Sequence, residues 1–174
     1  MIQLEEGENI IFESRRHWFV ISTTGAFLFF LAIAPFIMVS ASLIIYSDFV
    51  SVVFQPKYLS ALLLLGSSWL LVVWILFFVS WTDYYLDVLV ITNKRLVDVE
   101  QKGLFRRDIA TIPLSNVQDI KVEIKGLIRT LLKFGDLYVQ TAGFSQELKI
   151  RDIHSPEKVK QIIMSAYHAH KTLN

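Results

Sequence analysis

YLSALLLLGSSWLLVVWILFFVSWT, residues 58–82, contains no Asp, Glu, Lys or Arg, and neither does WFVISTTGAFLFFLAIAPFIMVSASLIIYS, residues 18–47. Each run exceeds the roughly 20 residues that an α-helix needs to cross about 30 Å of hydrocarbon. The core helix of a soluble protein is shorter, roughly 8 to 20 residues, and keeps a polar face; neither run has one. The sequence therefore predicts a helical membrane hairpin over residues 18–82, with spans at about 18–47 and 57–82. A cytoplasmic segment, 1–17, precedes it and a soluble domain, 83–174, follows. Val39-Ser40-Ala41 places small residues as a signal peptidase would want them, but the run outlasts an h-region of about 7 to 15 residues. Its leader is also acidic, with Glu5, Glu6, Glu8 and Glu13 against Arg15 and Arg16, so the first helix is expected to remain as an anchor.

The link from 48 to 57 is short and carries one acid, Asp48, and one base, Lys57, which makes the two helices antiparallel neighbours. Pro56 suits the first turn of the second helix, where a missing N–H has no intrahelical partner. Pro35 lies inside the first run and predicts a kink. Arg15 and Arg16 before the first span, and Lys94 and Arg95 after the second, outweigh Lys57 in the link, so both termini are expected in the cytoplasm. Trp18, Trp81, Tyr84 and Tyr85 then mark one interface, and Tyr46 and Tyr58 the other. No ionisable residue lies within the spans, which argues against a channel or pump. Gly25, Ala26, Gly66, Ser67 and Ser68 are small enough for close helix packing, within the hairpin or between protomers. Trp69 and Trp74 place indole N–H groups deep in the second span, where each needs a partner.

Outside the spans the composition excludes several classes. There are no cysteines, hence no disulfide framework, Cys-based zinc site or thiol nucleophile. A net charge of +1 gives no reason to expect a nucleic-acid partner. Only Arg15, Arg16 and Lys57 of the 17 Lys and Arg precede residue 83, against five of the 16 Asp and Glu, which leaves the soluble part mildly basic.

After residue 82 the apolar pattern changes to alternation, the mark of half-buried strands. Leu86, Val88 and Val90 share one face of a first strand, with Asp87, Leu89 and Ile91 on the other. Thr92-Asn93-Lys94-Arg95 reads as a turn, 96–101 as a strand, Lys102-Gly103 as a reversal and 105–112 as a third strand. Pro113-Leu114-Ser115-Asn116 breaks the pattern before Ile120, Val122 and Ile124 alternate with Lys121, Glu123 and Lys125. Residues 137–140 and 147–150 form a further hairpin about Thr141-Ala142-Gly143-Phe144. Ser155 as cap and Pro156 at the first position open a final amphipathic helix with Val159, Ile162, Ile163, Ala166, Tyr167 and His170 on one face. The fold class is thus a membrane α-helical hairpin plus an α+β domain, an antiparallel β-barrel or bent sheet capped by a C-terminal helix.

Leu4-Glu5-Glu6-Gly7-Glu8, the Arg16-His17-Trp18 that leads into the first run, two spans, Tyr84-Tyr85 and then Ile91-Thr92-Asn93-Lys94-Arg95-Leu96 resemble bacterial membrane proteins with a pleckstrin-homology-like (PH-like) domain. Leu132-Lys133-Phe134-Gly135-Asp136-Leu137-Tyr138-Val139, with Thr141-Ala142-Gly143, is similar to a later strand and turn of that family. The resemblance implies a PH-like fold and no single activity. The Lys/Arg-x-Arg pattern of phosphoinositide-binding eukaryotic relatives is absent, because Leu96-Val97-Asp98 follows Lys94-Arg95.

Catalysis would need a nucleophile with its base, or a metal site. His17, His154, His168 and His170 show no zinc spacing, and Asp152 beside His154 reads as a loop before the helix. No phosphate-binding glycine loop or nucleophile elbow occurs. The reading is therefore a non-enzyme without cofactor or metal. Gly126 to Phe134 sets Leu127, Ile128, Leu131 and Leu132 to one side of a short helical turn and Arg129 and Lys133 to the other. These leucines either meet a membrane interface or plug the barrel. Phe105-Arg106-Arg107 at a hairpin tip either touches headgroups or forms a charged edge that discourages strand pairing. Lys94, Arg95, Arg106, Arg107, Arg129 and Lys133 are the candidate membrane-surface contacts. The expected partners are the lipid bilayer and a membrane or cytoplasmic protein or a second copy of the chain. The chain is read as a membrane-anchored binding or scaffold module on the cytoplasmic face, with anionic-lipid or envelope-stress sensing as the alternative.

Overall fold

The computed structural model describes residues 4–46, 53–141 and 147–173. Half of the link between the apolar runs, residues 48–52, and all but Thr141 of the hairpin tip expected at Thr141-Ala142-Gly143-Phe144, lie outside these residues. In chain order the elements are β1 (Ile10–Arg15), α1 (Trp18–Ile45), α2 (Pro56–Leu86), β2 (Val88–Thr92), β3 (Arg95–Lys102), β4 (Arg106–Pro113), a 3-10 turn (Leu114–Asn116), β5 (Val117–Glu123), α3 (Leu127–Leu131), β6 (Phe134–Thr141), β7 (Leu148–His154) and α4 (Pro156–Leu173). They divide into two compact units, one made of the residues up to Val20 together with those from Thr82 onward, the other running Ile21–Trp81.

In the first unit β1-β2-β3-β4 form one antiparallel sheet and β5-β6-β7 a second. The two sheets do not close into a barrel, which corrects the barrel form of the sequence reading. Leu89, Ile91 and Leu96 of the first sheet, Ile120, Leu137, Val139 and Ile150 of the second, and Val159 and Ile163 of α4 make one buried core. The face of β2 that enters it is that of Leu89 and Ile91. Val88 and Val90 instead join Val97 and Val99 in a separate small cluster, because residues two apart on a strand share a face. α4 starts at Pro156 as its sequence predicts, but Ser155 stands at φ 49°; its carbonyl accepts the Lys158 and Val159 N–H groups and its own N–H donates to the Lys133 carbonyl. Gly135 is obligatory for packing, since a Cβ there would come within 2.6 Å of the Glu123 carbonyl oxygen across the β5–β6 ladder.

The segment before the first apolar run is not separate from the domain, as the boundary at residue 83 would have it. β1 pairs antiparallel with β2, Phe12 opposite Ile91, Ser14 opposite Leu89 and Arg15 opposite Val88. Residues distant in sequence hold it there. Arg95 donates from Nε and Nη2 to the two oxygens of buried Glu8 at 2.8 and 2.9 Å, the Thr92 hydroxyl donates to Glu8 Oε1 at 2.8 Å, and the Glu5 N–H donates to Oε2 at 2.8 Å. Asn93 exchanges bonds with Asn9 and donates to the Gly7 carbonyl, and Lys94 Nζ donates to the Glu6 carbonyl at 2.9 Å. The turn Thr92-Asn93-Lys94-Arg95 thus binds the leader Glu5-Glu6-Gly7-Glu8.

In the second unit, α1 and α2 are long and apolar enough to cross a membrane, and only 6% of each apolar window is buried, whereas the core helix of a soluble protein would be mostly covered. Pro35 lies within α1 and has no N–H to offer the carbonyl one turn back, that of Leu31. Trp69 Nε1 of α2 donates to that carbonyl at 3.2 Å, so the indole N–H and the carbonyl that proline leaves open satisfy each other. Serine hydroxyls in both helices turn back onto their own backbone, Ser40 to Phe36, Ser42 to Met38, Ser60 to Pro56 and Ser80 to Leu76.

Arg95 holds the Glu8 carboxyl at about 2, well below its ordinary value, against the opposing effect of burial. A lowered carboxylate stabilises the fold above its unfolded value and loses that contribution as pH falls through the folded one. The Glu8 contribution should therefore decline between about pH 4.5 and 2. Arg95→Ala is expected to lower the unfolding midpoint of the domain in detergent at pH 7 by several degrees and to remove this acid transition, and Arg95→Lys to do both in smaller measure. Unchanged melting in Arg95→Ala would show that the leader is not clamped.

Candidate functional site

Of the six candidate basic residues, three are engaged with acids or the leader of the domain and three are exposed. Lys94 and Arg95 are engaged with the leader, Lys94 Nζ also lying 3.5 Å from the Glu5 carboxylate. Arg129 turns toward the domain, where Nη2 meets Asp152 at 2.7 Å, Nη1 meets Asp136 at 3.4 Å, and the guanidinium lies over the Phe134 ring. Arg106, Arg107 and Lys133 are exposed, with Arg106 beside Asp108 at 3.4 Å.

Instead, the domain presents two projecting apolar tips. The β3–β4 turn is held from below: Gly103, at φ 75°, donates its N–H to Asp83 Oδ1 at 2.9 Å, and its carbonyl accepts from Gln101 Nε2 at 2.6 Å. Phe105 beyond it is 99% exposed. The second tip is α3. Gly126, at φ 98°, starts it in a backbone conformation that side chains disfavour, and Leu127 and Leu131 are 90% and 81% exposed. The expectation that these leucines plug a barrel is overturned; the helix has only five residues, and Arg129, not leucine, is its inward group.

Beneath α3 lies a compact aromatic platform. His17 is buried, its ring stacks on Phe134 at 4.6 Å and His154 at 5.4 Å, and its backbone N–H donates to the Asp152 carbonyl at 2.8 Å. Burial, with help from His154, pulls the His17 pKa down, against Asp152. The chain therefore enters the first apolar run from a fixed ring cluster.

On the other side of β1, Arg16 faces an excess of acids. Its Nε lies 2.8 Å from Asp87 Oδ2 and its Nη2 3.3 Å from Glu100, which Lys102 also contacts at 3.1 Å. Asp87 is buried; Oδ1 accepts the Gln101 N–H, while Oδ2, facing Arg16, accepts no well-aligned hydrogen bond. Arg16, Asp87, Asp98 and Glu100 line a small cavity with Lys149, Arg151 and Ile153 of β7. Burial pushes Asp98 up to about 7, with Glu100 and Asp87 adding to the rise and Arg16 and Lys102 opposing it; burial also raises Asp87. Sequence reasoning passed over these acids. Their signal was an Asp in the midst of strand alternation, at Leu96-Val97-Asp98-Val99, where a solvated face would account for it equally well. Among the described residues no group of three or more His, Asp or Glu is placed to hold a metal ion.

Comparison with known proteins bears on this arrangement. The family model described as "Bacterial PH domain" matches residues 26–167. The chain belongs to the bacterial PH domain family. The match starts inside α1, so the stretch that the family pattern covers takes in the later part of α1 and the whole of α2. Among solved structures it is similar to a DUF1696-family protein with a pleckstrin-homology domain from Shewanella loihica PV-4, at 19% identity and a TM-score of 0.38 over 47% of this chain and 70% of that one. It is also similar to a pleckstrin homology domain from Shewanella amazonensis SB2B, at 22% identity and a TM-score of 0.36 over 44% and 63%. No curated protein matches the chain.

A carboxyl raised on folding favours the folded state most at low pH, and loses that advantage as pH rises through the folded value. For Asp98 the window runs from its ordinary value of 3.8 up to about 7. Asp98→Asn is expected to be more stable than the unaltered protein at pH 8 and to lose that advantage toward pH 5. Thermal unfolding at the two pH values checks it; an Asn variant that is less stable at pH 8 would contradict it.

Proposed function

We propose that this bacterial PH-domain protein is a membrane-anchored binding or scaffold module: α1 and α2 span the bilayer, both termini face the cytoplasm, and the domain captures a protein partner or a second copy at the membrane surface. One observation carries the reading. The two apolar helices are inserted between β1 and β2, which are hydrogen-bonded neighbours in one sheet. The domain is therefore joined to the apolar helices by two chain connections, one from each of two paired strands. Tethering of that kind raises the effective concentration of weakly binding surfaces. A protein partner is favoured over a phosphoinositide because Lys94 and Arg95, the bases nearest to the place of the eukaryotic pattern, are committed to Glu5, Glu6 and Glu8.

Two measurements on the full chain test it. A reporter that is active only in the cytoplasm, fused after Asn174, should be active, and activity of an exported reporter at that position would overturn the orientation. Crosslinkers placed on the domain in living cells should give discrete adducts with a protein or with a second copy. A chain that stays monomeric and forms adducts only with lipid would replace the scaffold reading by lipid sensing.

A further inference from the structure

We propose that the two apolar tips, Phe105 on the β3–β4 turn and Leu127 with Leu131 on α3, dock the domain by entering the interfacial layer of the bilayer. This rests on the reading that α1 and α2 span that bilayer. Both tips are unusual for a water-soluble surface. A Phe ring 99% exposed stands clear of every neighbour, and two leucines on one short helix are 90% and 81% exposed. Scattered exposed apolar side chains need no explanation, but here they sit at the apices of ordered elements, each with bases beside it: Arg106 and Arg107 follow Phe105, and Lys125 and Lys133 flank α3. A ring or leucine that enters the headgroup layer while flanking bases meet lipid phosphates is the pattern of interfacial segments.

Hydrogen bonds tie each tip to a point where the chain meets an apolar run. The Gly103 N–H donates to Asp83, which follows Trp81 by two residues. Arg129 of α3 binds the Asp152 carboxylate, and the Asp152 carbonyl accepts the N–H of His17, which directly precedes Trp18. Trp18, Trp81 and Tyr85 are half-exposed aromatic residues of the sort that lie at headgroup depth. Each tip is thus linked, through one or two hydrogen bonds, to a residue that adjoins an apolar run. A second copy of the chain is the weaker occupant. A stable protein interface buries roughly 1,200 to 2,000 Å², and one phenylalanine and two leucines on two separate elements offer no such continuous area.

The absence of cysteine makes the test clean. Single cysteines at Phe105, Leu127 and Leu131, with Gln140 and Leu71 as controls, are labelled with an environment-sensitive fluorophore in the full chain, which is reconstituted in phosphatidylethanolamine/phosphatidylglycerol vesicles. Variants are kept only if their unfolding matches that of the unaltered protein. Labels at 105, 127 and 131 should shift to the blue and be quenched at least twofold by lipids brominated near the glycerol level, the label at 140 should not, and the label at 71 should be quenched by lipids brominated deep in the chain. Quenching at 71 with none at 105, 127 and 131 would overturn the docking and leave the anchor intact. No quenching at 71 would overturn the anchor and the docking with it. Shielding of the tips that grows with protein-to-lipid ratio and is indifferent to bromination would assign them to a second copy and overturn the proposal.

Discussion

The pairing of Ile10–Arg15 with Val88–Thr92 is the interaction on which the rest of the structure depends. A strand of six residues at a sheet edge has little apolar area of its own, and slippage by one residue would turn every side chain to the wrong face. Charge fixes its register instead. Glu8, just before the strand, is held by Arg95; Arg16, just after it, is held by Asp87. The two pairs have opposite polarity along the chain, so a shifted strand would strand a buried carboxylate at one end and a guanidinium at the other. Breaking a buried pair leaves an uncompensated charge, which costs far more than an intact pair contributes. Both apolar helices lie between this strand and β2 in the chain, and so are an insertion between two paired strands of one sheet.

That constraint explains what was legible in the sequence and what was not. β2 through β7 and α4 were legible from apolar patterning, turn residues and a helix start, signals that lie within each segment. Strand 105–112 is found at Arg106–Pro113, and the strand expected about Ile120 at Val117–Glu123. β1 was illegible, since Ile10-Ile11-Phe12-Glu13-Ser14-Arg15 is short and breaks alternation at Ile11, and its evidence lies in partners more than seventy residues away. Two of the segments that carry the family resemblance, the acidic leader and Thr92-Asn93-Lys94-Arg95, turn out to be each other's partners. For the same reason Lys94 and Arg95, which looked like surface bases, serve the fold.

The remaining surprises have a common physical form: a polar group whose partner lies on another element. Pro35 opens the Leu31 carbonyl and Trp69 closes it. Arg129 seems to belong to a basic edge, but Asp136 and Asp152 draw it inward and leave Leu127 and Leu131 facing out. Periodicity within a segment cannot report such matches. It also cannot distinguish Asp98 on a solvated face from Asp98 in a seam with Arg16, Asp87 and Glu100, although the two environments give a carboxyl very different proton affinities.

The central claim is that the leader and β1 are structural members of the domain, built around the inserted helices. Amide hydrogen exchange on the full chain in detergent or vesicles tests it directly. Protection at Phe12 and Ser14 comparable to that at Leu89 and Ile91, lost in Arg95→Ala, is the result the account predicts. Amides of residues 10–15 that exchange as fast as an unstructured tail, while β2 and β3 remain protected, would contradict it.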